Sequence, residues 1–447
     1  MIPARAWAGW LLVAACVTPA AAQPGGTGEI LSIEVAVSRA LEANRGLQIA
    51  RSEVEGLSDR IAAVRTRKYP VLSARLLEGA FLLPLEATFP AGAFGSFGAI
   101  GPFPPTDTTV RSDTRFLSAA VLTAAQPLTQ LRKVSRGIRG LQLEQDLARE
   151  RIDAQSREVA SGVRKAYYQL QRTQAGLQAT EETVALAREL VRLATAHRDA
   201  RVVLGADLLT AQSRLARAEH EARRLEDAAV TLREQLNALM GRDLALGFDV
   251  PPLPAPGATE ASLPEAEARA LEARSEIRQA ELRRQQAENA VHLAREAYIP
   301  DISVAVTYAA LANVEVLPRQ TFTAGVLLEW EPWTWGRVGH EVAASRRAVD
   351  RAALAATEAG EGIRREVRAA WRTLGEARRF IDVTALAQQA AREQVRVANE
   401  RVRAEASLVR EALQAQAALA EADAQHDAAL TSFWTAFAEF ERVTGVR

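Results

Sequence analysis

The chain has one cysteine, Cys16, and no excess of charge of either sign, since 55 Lys and Arg stand against 55 Asp and Glu. A lone cysteine closes no intrachain disulfide and builds no thiolate metal centre. Balanced charge leaves no global field to gather nucleic acid, so no nucleic-acid partner is expected. Aromatic residues make up only 5% of the sequence, while Ala, Arg, Glu, Leu and Gln are abundant, a composition that points to long helices and coiled coils. Beyond the N-terminal stretch no run of 18 apolar residues occurs, so no transmembrane helix is expected and membrane residence would have to fall to strands. There is no phosphate-cradling Gly-rich loop with lysine, no Ser/His/Asp set placed by strand ends and no metal-ligand spacing. His197, His220, His292, His340 and His426 are scattered, and His426 falls on a heptad core position, where a hydrogen-bonded interior imidazole is expected. The expectation is therefore no enzyme, no cofactor and no metal.

Residues 1–22 have the pattern of a secretory signal: an early arginine, an apolar stretch from Ala6 to Val17, a helix-breaking Pro19 and a run of small residues ending at Ala22. Cleavage after Ala22 is the favoured route. The competing route takes Val13, Ala14, Ala15 and Cys16 as a lipobox and leaves Cys16 as an acylated N-terminus.

The remainder is built twice. An offset of 204 residues pairs Tyr167 with Trp371, Asp207 with Glu411, Leu209 with Leu413, Gln212 with Gln416 and Gly241 with Gly445. Earlier in each half the offset is 230, pairing Leu41 with Leu271, Ala50 with Ala280 and Pro70 with Pro300. Repetition at fixed offsets marks a duplicated architecture, and the drop in offset places about 26 extra residues in the first half after Pro70. The units are a first repeat at 23–241, a Pro-rich linker at 242–261 and a second repeat at 262–447.

Each repeat opens with a helix, at 32–68 and 263–298, the first N-capped by Ser32 and stopped by Pro70. The spacing then changes to two, predicting strands at 71–77, 115–128, 301–310 and 321–332. In the second pair Ile302, Val304, Val306 and Tyr308 alternate with polar or small neighbours, as do Phe322, Val326, Leu328 and Trp330. One face is greasy, and about 10 residues is the length of a tilted membrane strand. Tyr69, Tyr298, Trp330, Trp333 and Trp335 gather at the strand ends, where an aromatic belt belongs. The extended loop at 78–114, rich in Gly, Pro and Phe, reads either as a mobile surface loop or as a segment that narrows a channel mouth or touches lipid.

Long helices follow, from about residue 133 to 200 and from 337 to 403. The first repeats its core by seven, with Val163, Leu170, Leu177, Val184 and Val191 facing a series of smaller residues that includes Ala166 and Ala187, which is coiled-coil patterning. Return helices run to Gly241 and to Val443, so hairpin tips fall near 201–207 and 405–411. At about 1.5 Å per residue each long helix spans roughly 100 Å. The opening and return helices of each half sum to a similar length, predicting one continuous and one spliced rod per repeat. Four strands cannot close a membrane barrel, which needs about eight, and lipid does not tolerate open edges. The chain must oligomerise.

With these features the sequence resembles the TolC family of bacterial outer-membrane efflux proteins over essentially the whole mature chain. The resemblance rests on Ala40, Leu41 and Asn44, on the strand openings at Pro70 and Pro300, on Gln126, Pro127 and Leu128, on Glu331, Pro332 and Trp333 followed by Gly336 and Arg337, and on the turn from Asp207 to Gln212. It implies a mostly α fold with a membrane β-barrel, in which three chains form a 12-stranded barrel continued by a 12-helix coiled-coil tunnel into the periplasm. It implies passive conduction as the exit duct of a tripartite efflux or type I secretion system. The implied partners are two further copies of the chain, outer-membrane lipid, a periplasmic adaptor docked on the tips and an inner-membrane pump of RND, ABC or MFS type. Glu411 stands where members often carry an aperture aspartate, and Asp207 is its repeat partner; for both, simple capping of a helix N-terminus is the alternative role. The family's tip glycines are replaced here by Arg201 and Glu405, which with Gly205 and Ser407 form the expected docking tip; Arg201 and Glu405 either pair across hairpins, match charges on an adaptor, or are two solvated charges. The alternative class is a non-pore periplasmic adaptor or structural coiled coil, which would show one hairpin between β-rich domains rather than two hairpins and four strands.

Overall fold

The computed structural model describes residues 30–80, 85–112, 116–199, 205–257, 262–312, 318–403 and 409–446. The signal segment with Cys16 lies outside them, as do Arg201, Glu405 and Ser407.

The two halves follow one plan. In the first, helices α1 (Ile33–Ala43) and α2 (Arg45–Thr66) lead into strand β1 (Val71–Ala80). The stretch read as a loop holds two small ribbons, β2 (Leu85–Phe89) with β5 (Thr108–Ser112) and β3 (Ser96–Phe97) with β4 (Gly101–Pro102). Strand β6 (Phe116–Pro127) then feeds the 70-residue helix α3 (Gln130–Asp199), and α4 (Gly205–Leu239) returns. In the second half α5 (Leu263–Ala273) and α6 (Ser275–Arg295) lead into β7 (Asp301–Ala312), β8 (Gln320–Glu329) follows, and α7 (Arg337–Arg403) and α8 (Val409–Thr444) complete the unit. At about 1.5 Å per residue α3 is roughly 105 Å long.

Four strands form one antiparallel sheet in the order β1-β6-β7-β8. The helices stand in the same order. At the sheet end α2 packs on α3, α3 on α6 and α6 on α7; farther away α4 packs on α3, α3 on α8 and α8 on α7. Each strand therefore continues into its own rod, two of them single helices (α3, α7) and two assembled from a leading and a returning helix.

The joints in the assembled rods correct the sequence expectation of one unbroken opening helix per repeat. Asn44, at φ −60° and ψ 123°, separates α1 from α2, and Arg274, at φ −76° and ψ 127°, separates α5 from α6. The two breaks are 230 residues apart, the repeat offset. At the first joint Asn44 serves both helix ends: its Oδ1 accepts from Leu47 N at 3.2 Å, and its Nδ2 donates 3.0 Å to Leu239 O at the end of α4. These bonds satisfy groups that a helix terminus otherwise leaves unpaired. At the second, the buried Arg274 guanidinium reaches Glu276 and Glu366, tying the break to α7. Residues of α1 leave the line of α2 and share a core with α3 and the end of α4, where Val37, Ala40, Val163, Tyr167, Leu236 and Met240 are buried. The spliced rod thus continues α4 into α2 alone, shorter than the full sum of opening and return helices.

The Pro-rich linker is a strap across the rods at this level. Ile30 bridges Asp249, Tyr167 Oη donates 2.6 Å to Leu31 O, Gln171 Nε2 reaches Pro251 O, and Trp434 Nε1 donates 2.9 Å to Pro254 O. Burial pushes the Tyr167 and Tyr168 hydroxyls up to about 12, and the neutral Tyr167 hydroxyl is the donor to Leu31 O.

Each return helix ends in a left-handed glycine, Gly241 at φ +67° and Gly445 at φ +85°. A Cβ at Gly241 would lie 2.4 Å from Ala43 O, and one at Gly445 2.7 Å from Ala273 Cβ. Gly241→Ala is accordingly expected to lower the thermal midpoint of the detergent-purified protein by a loss of at least about 1–2 kcal/mol. Gly56→Ala, in the open interior of α2 with nothing within 4 Å, should leave the midpoint unchanged or raised.

Candidate functional site

The sheet register sorts the strand residues onto two faces. Leu72 lies opposite Ala124, Ala124 opposite Val306 and Val306 opposite Ala324; Leu122 lies opposite Tyr308, and Tyr308 opposite Phe322. Side chains of paired residues share a face, so this face is aliphatic and aromatic across all four strands. The other carries Ser73, Arg75, Thr123, Thr307 and Thr323, with Thr123 Oγ1 3.4 Å from Thr307 Oγ1. The greasy and polar faces expected from alternation are thus set side by side in register. Every residue of β1 and β8, the two edge strands, is exposed. No helix among the described residues is long and apolar enough to cross a membrane.

The five aromatic residues singled out in the sequence collect at one end of this sheet, where it meets the helices. Tyr69 precedes β1 and Tyr298 precedes β7, while Trp330, Trp333 and Trp335 lie between β8 and α7. All are exposed, Trp335 by 90%. The strand expected to reach residue 332 stops at Glu329, so these tryptophans stand on a turn. That turn holds the only non-glycine residue with positive φ among those described, Trp335 at +51°, followed by Gly336 at +85°. A bulky residue in the left-handed region is strained. Arg337 fixes the turn from the far side, donating 2.8 Å to Glu331 Oε2 and 3.3 Å to Glu341 Oε1. Nothing in the residue pattern signals this strain, nor the clasp at the neighbouring junction, where Lys133 Nζ meets Asp301 Oδ1 at 2.8 Å and Thr129 Oγ1 accepts from Ile302 N at 2.7 Å.

At the opposite end of the rods, Asp207 and Glu411 each occupy the third residue of a return helix, α4 and α8, as the repeat offset requires. Gly205 opens α4. Glu411 is exposed and lies in the first turn of its helix, where the macrodipole favours a carboxylate.

Two carboxyls are pushed up, and both lie at mid-height on α8. Burial pushes Glu441 and Asp427 up, whereas at Glu439 hydrogen bonds from Arg442 and Lys165 outweigh burial and hold the carboxyl down. Lys165 Nζ to Glu439 Oε2 is 2.6 Å, a bond between α3 and α8. These are pairs that hold rods together. His426 is half-buried with Nδ1 3.2 Å from Thr384 Oγ1, the hydrogen-bonded imidazole expected. Among the described residues no group of three His, Cys, Asp or Glu could hold a metal ion.

The same architecture occurs in solved outer-membrane channels. The chain is similar to the outer-membrane channel OprN, with a TM-score of 0.72 at 19% identity over 93% of this chain and 90% of that one. It is similar to the CmeC outer membrane channel of Campylobacter jejuni, with a TM-score of 0.75 at 14% identity over 92% and 85%. The open state of the MtrE outer membrane channel of Neisseria gonorrhoeae gives 0.69 at 17% identity over 93% and 89%. At such identities the likeness is one of fold. Among curated proteins none matches. The outer membrane efflux protein family, in contrast, matches residues 36–242 and 268–446. With that match across most of its length, the chain belongs to the outer membrane efflux protein family: it is an outer-membrane efflux channel, a conduit rather than an enzyme, with its helical body on the periplasmic side.

Proposed function

We propose that three copies of this chain close a 12-stranded barrel and a 12-rod tunnel, forming the exit duct of a tripartite efflux or type I secretion system. The observation that carries this reading is the four-stranded sheet with two open, fully exposed edges, β1 and β8. Unpaired backbone groups are costly in hydrocarbon, so the edge β8 of one copy pairs with β1 of the next until the ring closes. The rods follow in the same order and close with the strands. Apolar side chains exposed on α7, one of the two edge rods, among them Leu354, Phe380, Val383 and Leu386, are covered by the neighbouring copy. The aromatic ring of Tyr69, Tyr298, Trp330, Trp333 and Trp335 marks the periplasmic interface of the bilayer.

Three-fold symmetry turns Glu411 into a ring of three carboxylates at the tunnel tip, with Asp207 providing a second ring on the partner hairpins; such rings attract cations and constrict the aperture. Around them the docking surface for a periplasmic adaptor, itself carried by an RND, ABC or MFS pump, comprises Arg201, Gly205, Glu405 and Ser407. Arg201 and Glu405 replace the small tip residues with a charge pair matched between neighbouring hairpins.

Three measurements test this. In the strand face experiment, Val326→Arg on the apolar face is expected to cost about 2–4 kcal/mol and deplete the protein from the outer membrane, while Thr323→Arg on the polar face is tolerated. In planar bilayers the wild-type trimer should pass a small, cation-selective current that grows or loses selectivity in Glu411→Ala; a water-soluble monomer without current would end the channel reading. For the tips, Arg201→Glu and Glu405→Arg should each impair efflux and the double swap restore it, whereas wild-type efflux from both singles and the double would remove the pairing.

A further inference from the structure

The second repeat joins its strands β7 and β8 through only seven residues, 313–319, so the fold does not need more. The first repeat places a folded ribbon there instead. Strands β2 and β5 pair over five rungs from Leu85 with Ser112 to Phe89 with Thr108. The Thr88 and Thr109 hydroxyls are 3.0 Å apart, Glu86 meets Arg111 at 2.9 Å, and Ala91 N donates 2.8 Å to Asp107 Oδ1. Beyond this stem the chain turns through Gly92, Gly95 and Gly101, all at positive φ, and closes on itself where Phe103 N donates to Gly95 O and Phe94 N to Phe103 O. The Phe94 ring packs 5.0 Å from Phe89 and 6.2 Å from Phe103. The tip nevertheless exposes Phe94, Phe97, Ile100 and Phe103 by 51–77% of their surface, and no charged residue occurs from 90 to 106.

Connectivity fixes where the ribbon starts. It branches from the last rung of β1 and β6, Ala80 opposite Phe116, at the sheet end away from the helices and from the aromatic cluster, which is the extracellular end. We propose that the three ribbons of the trimer lean over the barrel mouth and bring their apolar tips together on the three-fold axis, closing the duct outside with a dry plug. The proposal rests on the trimeric reading above. Twelve strands about 4.8 Å apart and tilted by about 40° enclose a radius of about 12 Å. Five rungs at about 3.4 Å per residue carry the stem roughly 14 Å, so each tip reaches the axis. The occupant of the tip follows from charge. Outer-leaflet headgroups are anionic, and a ribbon lying in them needs free cations, but the only basic residue from 85 to 112 is Arg111, which is paired with Glu86. An uncharged tip of phenylalanines and isoleucine is suited to a second copy of itself, and an apolar constriction gates a pore by excluding water.

The test uses the full chain in outer membranes. Phe97→Cys, and Ile100→Cys as a second variant, are treated with a short bis-maleimide cross-linker; Cys16 is the only native cysteine, and the unsubstituted chain is the control. A covalent dimer is expected from both tip variants and none from Ala80→Cys on the last rung of the barrel sheet, at the rim. In parallel, Thr307→Cys on the polar sheet face is labelled from outside intact cells with a membrane-impermeant maleimide, with the ribbon present or with 85–112 replaced by a short Gly-Ser link. Labelling should be several-fold faster without the ribbon. A trimer on native electrophoresis whose tips do not cross-link, or whose labelling rate ignores the ribbon, overturns the lid and leaves the barrel standing. Tips shielded from a water-soluble maleimide without cross-linking would place them in lipid and overturn it equally. A monomer on native electrophoresis would sink barrel and lid together.

Discussion

Everything in this molecule depends on two backbones meeting end to end. The return helix α4 stops at Leu239, turns through a left-handed Gly241 against Ala43 O, and hands its line to α2 across Asn44. The same meeting occurs at Gly445 and Ala273. Without it a repeat would have one rod and a stump, and the two strands of each hairpin would lead to different lengths of helix. Because the ends abut, each strand has a rod beneath it, and the sheet order β1-β6-β7-β8 is carried down the molecule unchanged. A glycine is required because the carbonyl is too close for any Cβ, a steric limit stronger than the intrinsic cost of the left-handed backbone.

Much of this was legible in the sequence, and the reason is physical. The duplication, the alternating strands, the heptads and the paired tips are local periodicities, and the buried series Val163, Leu170 and Val184 lies where counting by seven put it. The breaks at Asn44 and Arg274 were not legible. Neither joint residue is a proline or glycine, although Gly46 follows Asn44 by two positions; at each joint the break faces the end of a helix distant in the chain, Leu239 for Asn44 and Gly445 for the second, so tertiary contact overrides local propensity. Only the offset of 230 linking Asn44 and Arg274 held a trace of it. The ribbon between β1 and β6 was visible as composition, since Gly, Pro and Phe announce an irregular insertion but do not disclose which residues pair. The positive φ of Trp335 had no signal, because the residue type argues against the conformation it adopts. At the tips, Asp207 and Glu411 take equivalent places in α4 and α8, while Arg201, Glu405 and Ser407 fall outside the described residues.

The two halves solve one problem with different chemistry. At the first joint a single amide, Asn44, caps both helix ends with neutral hydrogen bonds. At the second, a buried guanidinium is held by Glu276 and Glu366, with Arg157 Nη2 2.6 Å from the adjacent Ser275 Oγ. A buried cation is tolerable only while its acids remain. The second joint is therefore the one that removal of a single partner would damage more, even though the backbone geometry is shared.

The Pro-rich strap sets a lever. It clasps α3 at Gln171 and Gln174 and α8 at Trp434, beside the Tyr167 bond to Leu31 O, while above it the rods are anchored in the sheet. Below it α3 runs from Tyr167 to Asp199, about 48 Å of helix at about 1.5 Å per residue. A rod pivoting at the strap moves its far end by nearly 1 Å per degree, so a tilt too small to disturb the packing around Tyr167 displaces the end of the hairpin by the width of an atom.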